Sequence, residues 1–236
     1  EASEELRRQQ RELTRSNAEL EQFAYVASHD LQEPLRKVAA FCQLLQSRYG
    51  GQLDERADQY IGFAVDGAKR MQALINDLLA FSRVGRVTRE FAPVELDVVL
   101  HEAQDNLGEA FDGSGAVLEA DPLPAVPGEH ALLVAVFQNL LGNALKFRRP
   151  GVVPHITVRH RAGDGCHRIV VRDNGIGIDP EYAERVFVIF QRLHAKEDYP
   201  GTGIGLALCR KIVEHHGGEI AVVAAAAGDG DGDDAC

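Results

Sequence analysis

The sequence predicts an α+β chain in which a long helical hairpin precedes a separate domain of mixed helices and strands. Three observations predict it. Apolar residues recur at helical intervals as far as Glu90–Pro93 and then stop doing so. Beyond that point short alternating stretches interleave with one strongly apolar helical pattern. The charge balance changes at the same place, from 13 basic and 14 acidic side chains in residues 1–90 to 12 and 22 in residues 91–236.

Residues 1–27 read as one helix, because Leu6, Leu13 and Leu20 recur every seven positions and Phe23 and Ala27 continue the stripe. A seven-residue apolar repeat on a polar helix is a coiled-coil seam. The pattern runs on to about Tyr49, with Pro34 expected to kink it and Gly50–Gly51 to end it. A second helix is expected over Asp54–Arg83, where Tyr60, Ala64, Ala68, Met71, Ile75, Leu78 and Leu79 step by threes and fours. Two helices alone cannot enclose their apolar faces. Two hairpins can, as a four-helix bundle, so a homodimer is predicted.

After Pro93 the reading is a helix over Leu96–Phe111, a strand over Ala116–Ala120, and a loop over Asp121–Pro127. A strong helix follows over Glu129–Phe147, then strands over His155–Arg161 and His167–Arg172 joined by a tight turn. Glu181–Phe190 reads as helix, Tyr199–Gly205 is glycine-rich, Leu206–His215 is helix, and Glu219–Val223 is a strand. The acidic, low-complexity tail from Gly228 is expected to be disordered. The implied division is a coiled-coil helix (1–27), a hairpin (28–90), a mixed domain (91–223) and the tail (224–236).

Composition excludes several function classes. With 236 residues, 45% of them apolar, the chain can bury a real core. A net charge of −11 argues against general nucleic-acid binding, which needs basic patches. No run approaches a membrane span; the longest candidate, Ala131–Leu145, is interrupted by Gln138, Asn139, Gly142 and Asn143. Cys42, Cys166, Cys209 and Cys236 are widely spaced, so reduced thiols are expected rather than a zinc site or a disulfide framework. The chain opens at Glu1 without an initiator Met and reads as a piece of something longer.

Three clusters carry chemistry. In Gln138–Phe147, Asn139, Asn143 and Lys146 are spaced i, i+4, i+7 on one helical face, offering a carboxamide oxygen for Mg²⁺ and donors for phosphate. In Asp173–Ile178, an Asp fixed at a strand end can accept from an exocyclic amine such as that of adenine, and Gly175 and Gly177 let the backbone approach a flat ligand. In Gly201–Gly205, the residues Gly201, Thr202, Gly203 and Gly205 open a helix and present free N–H groups and a positive dipole end to phosphate.

In this order and spacing the clusters resemble the sensor histidine kinases of two-component systems. QNLLGNALKF is similar to their N box, DNGIGI to the G1 box, VFVIFQRLH to the F box, and GTGIGLALCRKIVEHHGG to the G2 box. SHDLQEPLRK, over Ser28–Lys37, resembles the H box. The subgroup most resembled is the one fused to phytochrome or PAS sensory modules. The resemblance implies a dimerisation and histidine-phosphotransfer hairpin followed by a two-layer α/β sandwich of the GHKL or Bergerat type that binds ATP.

It further implies that His29 is phosphorylated, with Asp30 orienting its ring; a neutral imidazole is a competent nucleophile near neutral pH. Asn143 is the implied Mg²⁺ ligand, Lys146 and the G2 loop are phosphate contacts, and Asp173 selects adenine. Asn139 stands where hydrolysing relatives of this fold carry a Glu, so slow hydrolysis is expected. The implied partners are a response regulator and an upstream sensory domain; the implied setting is cytoplasmic, with upstream membrane anchoring left open. Gln191–Pro200 resembles the ATP lid, with Arg192, His194 and Lys196 as candidate phosphate contacts. One departure favours an alternative: after Gly217–Gly218 the chain offers only IAVVAAAA where the family closes its sheet, so a nucleotide-binding scaffold with little catalysis is the second reading.

Overall fold

The computed structural model describes residues 2–85, 91–163, 165–193, 199 and 201–223, and in its first helix side chains only for Arg8, Gln22 and from Tyr25 onward. The chain divides into two compact units, Glu1–Arg86 and Val87–Cys236.

The first unit is a helical hairpin of α1 (Ala2–Tyr49) and α2 (Glu55–Arg83). Helix α1 continues through Pro34, so the expected kink does not interrupt it. The seam residues Leu6, Leu13, Leu20 and Phe23 lie outside the described side chains. Asp54 caps α2 by accepting from the Ala57 N–H at 2.8 Å, a bond that stabilises a helix start by about 1 kcal/mol. Leu35, Val65, Ala68 and Leu79 are buried between the two helices, and Gln32 Nε2 donates to Asn76 Oδ1 across them at 3.0 Å.

The second unit begins with β1 (Ala92–Glu95), α3 (Leu96–Asn106) and α4 (Gly108–Ser114). It continues through β2 (Val117–Ala120), β3 (Ala125–Gly128), α5 (His130–Lys146), β4 (His155–Ala162), β5 (His167–Asp173) and α6 (Gly205–His215). β1 and β3 form a two-stranded antiparallel ribbon. β2 pairs parallel with β4, which pairs antiparallel with β5. The inward side chains of β4, Ile156 and Val158, meet Val99, Leu100 and Ala103 of α3 and Phe137, Leu141 and Ala144 of α5 in one buried core. Helices lie on one face of the sheet, as an α/β layer pair requires.

Five expectations need correction. Leu96–Phe111 is two helices, broken at Leu107. The loop expected over Asp121–Pro127 gives way at Ala125 to β3, whose Pro127 sits opposite Pro93 of β1; prolines are tolerated where the pair exchanges no ladder hydrogen bond. Glu181–Phe190 holds no α-helix but two 3₁₀ turns, Pro180–Tyr182 and Arg185–Phe187, because Val186 and Phe187 are buried side by side rather than at helical spacing. Glu219–Val223 forms no strand. Cys166 is disulfide-bonded, whereas Cys42 and Cys209 are free. The tail from residue 224 lies outside the described residues.

Candidate functional site

Helix α5 is the spine of the site. Its apolar side, with Val134, Phe137, Leu141 and Ala144, is pinned in the core. Its other side therefore presents Asn139, Asn143 and Lys146, all partly exposed. The two glycine-containing segments, Asp173–Ile178 and Gly201–Gly205, meet this side or the helix end at three places.

The first meeting is with the start of α6. Gly205 lies against Asn139, and a Cβ there would run into Asn139 Oδ1. Asn139 Nδ2 is spent on the Ala135 carbonyl at 2.8 Å. The second is with the glycine loop, where a Cβ on Gly201 would stand 3.0 Å from Lys146 Nζ. Thr202 Oγ1 accepts from the Ile204 N–H at 3.3 Å, shaping the turn into α6. The third is at the C-terminal end of α5. The Phe147 carbonyl accepts from the Ile176 N–H at 3.0 Å. A Cβ on Gly175 would lie 2.6 Å from that oxygen, so only glycine fits there. Asp173 Oδ1 accepts from the Gly175 N–H at 2.8 Å; its carboxylate is exposed at the end of β5. Gly177 and Gly203 take positive φ angles of 77° and 75°.

The electrostatics are distinctive. Lys146 Nζ sits 4.2 Å from the centroid of the Phe147 ring. Burial, and then the positive charge of Arg192, hold its pKa below the usual lysine value. Among the described residues it has no carboxylate partner. A half-buried cation without a counter-ion is a place where an anion is favoured. Asn143 makes no side-chain hydrogen bond among the described residues, so its oxygen is available to a ligand. One carboxamide oxygen with the rest of the coordination left to phosphate and water suits Mg²⁺, so the donor set fits that ion.

Three contributors were not foreseen. The Phe147 carbonyl anchors the Asp173–Ile178 turn, and Arg149 Nε donates to the Gly175 carbonyl at 2.8 Å from the other side. Tyr199 packs on Phe147 with ring centroids 5.0 Å apart. The basic pair Arg148–Arg149 just past the helix was the one available signal. Arg192 is committed to carbonyls, donating to Gly201 at 3.1 Å and Tyr199 at 2.6 Å. His194 and Lys196 lie outside the described residues.

In the hairpin, His29 and Asp30 are both exposed on α1, with Nδ1 of the ring 3.2 Å from Asp30 Oδ1. A ring that donates through Nδ1 keeps its Nε2 lone pair free. Ser28 beside it is buried, so the backbone there is held while the imidazole is presented to solvent. No helix among the described residues is long and apolar enough to cross a membrane.

Comparison with known proteins finds two family matches along the chain. Residues 19–86 match the His Kinase A (phospho-acceptor) domain. Residues 128–233 match the histidine kinase-, DNA gyrase B-, and HSP90-like ATPase family. The chain is 48% identical over 218 residues to cyanobacterial phytochrome A of Nostoc sp. strain PCC 7120, covering 92% of this chain and 28% of that protein. It is 45% identical to the phytochrome-like protein Cph1 of Synechocystis sp. strain PCC 6803, covering 92% and 29%. The chain thus spans under a third of these relatives' length. The crystal structure of full-length ShkA in complex with AMPPNP superposes with a TM-score of 0.64 at 25% identity, over 85% of this chain and 42% of that one. With a phospho-acceptor domain followed by this ATPase domain, the chain belongs to the sensor histidine kinases of two-component systems.

Proposed function

We propose that the chain binds ATP along α5 and the start of α6, transfers the γ-phosphoryl group to His29, and passes it to an aspartate of a response regulator. The observation that carries this reading is the meeting of two glycine motifs with one side and the end of α5, beside Lys146, which has no carboxylate partner among the described residues. Lys146 and the N–H groups of the Gly201–Gly205 loop neutralise phosphate oxygens, and Asp173 receives the adenine amine through the oxygen that Gly175 leaves free. Asn143 holds Mg²⁺, which supplies charge neutralisation at the phosphates when bound.

His29 Nε2 attacks the γ-phosphorus. An N–P bond forms, the bond from phosphorus to the β,γ-bridging oxygen breaks, and ADP leaves with the electron pair. Asp30 holds the Nδ1 proton and stabilises the imidazolium as it develops. Asn139 is a poor base, with its amide nitrogen already committed, so water is not activated in competition. The phosphoramidate then donates its phosphoryl group to a carboxylate oxygen of the regulator, and the imidazole is restored.

The hairpin acts as a homodimer in this reading. Leu31, Val38, Phe41 and Leu45 of α1 and Tyr60, Phe63 and Met71 of α2 are all exposed. They recur at helical spacing, which fits burial against a second copy. An upstream sensory region and a cytoplasmic setting complete the proposal, in keeping with relatives named as phytochromes.

The test is incubation with γ-labelled ATP and Mg²⁺ beside a His29→Gln variant. Acid-labile, alkali-stable label on the wild type and none on the variant is expected. Label that persists on the variant overturns the assignment of His29. A second reading, a nucleotide-binding scaffold with little catalysis, is favoured by the absence of a strand over Glu219–Val223. It predicts bound nucleotide and no label.

A further inference from the structure

Helices α5 and α6 run antiparallel and touch at three levels. At the site, Gly205 lies against Asn139. One level along, Cys209 Sγ donates to the Val136 carbonyl at 3.8 Å in the buried core. At the far end, His216 meets the residues that open α5. Its Nε2 accepts from the Glu129 N–H at 3.0 Å, and its Nδ1 donates to the Ile212 carbonyl at 2.7 Å.

The far end is more elaborate than a helix stop needs. His215 Nε2 pairs with Glu129 Oε1 at 3.0 Å, with both side chains 19% exposed. Phe91 stacks on the His216 ring, with centroids 4.8 Å apart and planes 9° from parallel, and meets His215 edge-on at 5.3 Å. A Cβ on Gly128 would stand 2.8 Å from the His216 ring, so β3 closes the remaining side. Phe91 directly precedes β1, which pairs Ala92 with that same Gly128. Four segments therefore converge: the residue before β1, the end of β3, the start of α5 and the end of α6.

We propose that Phe91, Glu129, His215 and His216 form a clamp that fixes the axial register of α6 against α5, and so positions the glycine loop over Asn139 and Lys146. This rests on the nucleotide-site reading above. The physical reason is leverage along a stiff rod. Gly205 and His215 are separated by ten residues of continuous helix, about 15 Å. A helix transmits an axial shift of one end to the other almost undiminished. At the middle level the buried side chains of α6, such as Cys209 and Ile212, pack against the core, but the thiol donor at 3.8 Å adds little directional restraint. The far end supplies that directional restraint, because a largely buried histidine–carboxylate contact, two ring hydrogen bonds and an aromatic stack hold it together. These four are positioning residues; none of them lies at the nucleotide site.

The test uses the full chain with four variants. Phe91→Ala removes the stack. His216→Phe keeps a flat ring but removes both hydrogen bonds. Phe91→Tyr keeps the stack as the conservative control. The Phe91→Ala/His216→Phe double variant tests coupling. The readouts are the melting temperature and, at a temperature below that transition, binding of a fluorescent ATP analogue and amide hydrogen exchange over residues 201–206. The clamp predicts three- to tenfold weaker nucleotide binding in each single variant and faster exchange in the loop. It also predicts a double variant no worse than the weaker single one, and wild-type behaviour from Phe91→Tyr. Lower melting temperatures with unchanged affinity and unchanged loop exchange would overturn it. Should the wild type bind no nucleotide, the nucleotide-site reading fails, and loop exchange alone decides the clamp.

Discussion

At the scale of single residues, Lys146 carries the sharpest test of the proposed nucleotide site. Its pKa is lowered by burial and by Arg192. The folded state therefore disfavours the charged form. That penalty is present below the lowered pKa and vanishes as pH rises past the unfolded value of 10.5. Removing the charge relieves the free protein and harms the complex. Lys146→Met is expected to leave the melting temperature of the nucleotide-free protein unchanged or higher. It should also weaken nucleotide binding about tenfold, a loss of roughly 1.4 kcal/mol. Thermal melts with and without nucleotide check both halves. Phe187 and Phe190, three residues apart, behave oppositely. Phe187 is buried under the Arg210 guanidinium, 4.1 Å from the ring centroid; Phe187→Ala should cost about 3–5 kcal/mol. Phe190 is exposed and takes a left-handed φ of 63°, a conformation that costs a bulky residue about 1–2 kcal/mol. Phe190→Asn, a residue that tolerates it, should be neutral or stabilising. Urea denaturation of the two variants side by side decides.

At the scale of elements, legibility followed length and period. α1, α2, α5 and α6 were readable because their apolar stripes persist for three or more turns, and β4 and β5 because a tight turn separates two alternating runs. β1 and β3 have four residues each and carry prolines, so neither alternation nor composition marks them. The stretch over Glu181–Phe190 misled because its apolar spacing suits a helix, yet Val186 and Phe187 face the same buried region against α6. The α5–α6 contact illustrates what motif spacing leaves out. Gly205 was chosen from its place in a glycine loop, but its intolerance of a side chain comes from Asn139, 66 residues earlier. Gly205→Ala should therefore cost about 1–3 kcal/mol through overpacking and weaken nucleotide binding along with it. Chemical denaturation and analogue binding on one preparation would show both losses; an unchanged affinity would detach that contact from the site.

At the scale of the whole molecule, the division into hairpin and mixed unit was visible as a change of period and of charge near residue 90. The motif boxes that hold the proposed site residues were visible as well. Their mutual geometry was not. The Phe147 carbonyl, the Arg149 bridge and the diversion of Arg192 to backbone carbonyls are products of chain reversal after α5, which no local pattern encodes.

The separation into two compact units has a calorimetric consequence. Each unit owns its core, so heat should melt the chain in two endotherms rather than one. Nucleotide binds only the second unit in the proposed function and shifts that endotherm alone, by the logarithm of its concentration over Kd. The hairpin's endotherm should ignore nucleotide and move instead with protein concentration, as the melting of a dimer must. A scan at two protein concentrations, each with and without ATP analogue, therefore reads the oligomeric and the ligand-binding halves of this chain as two independent thermometers.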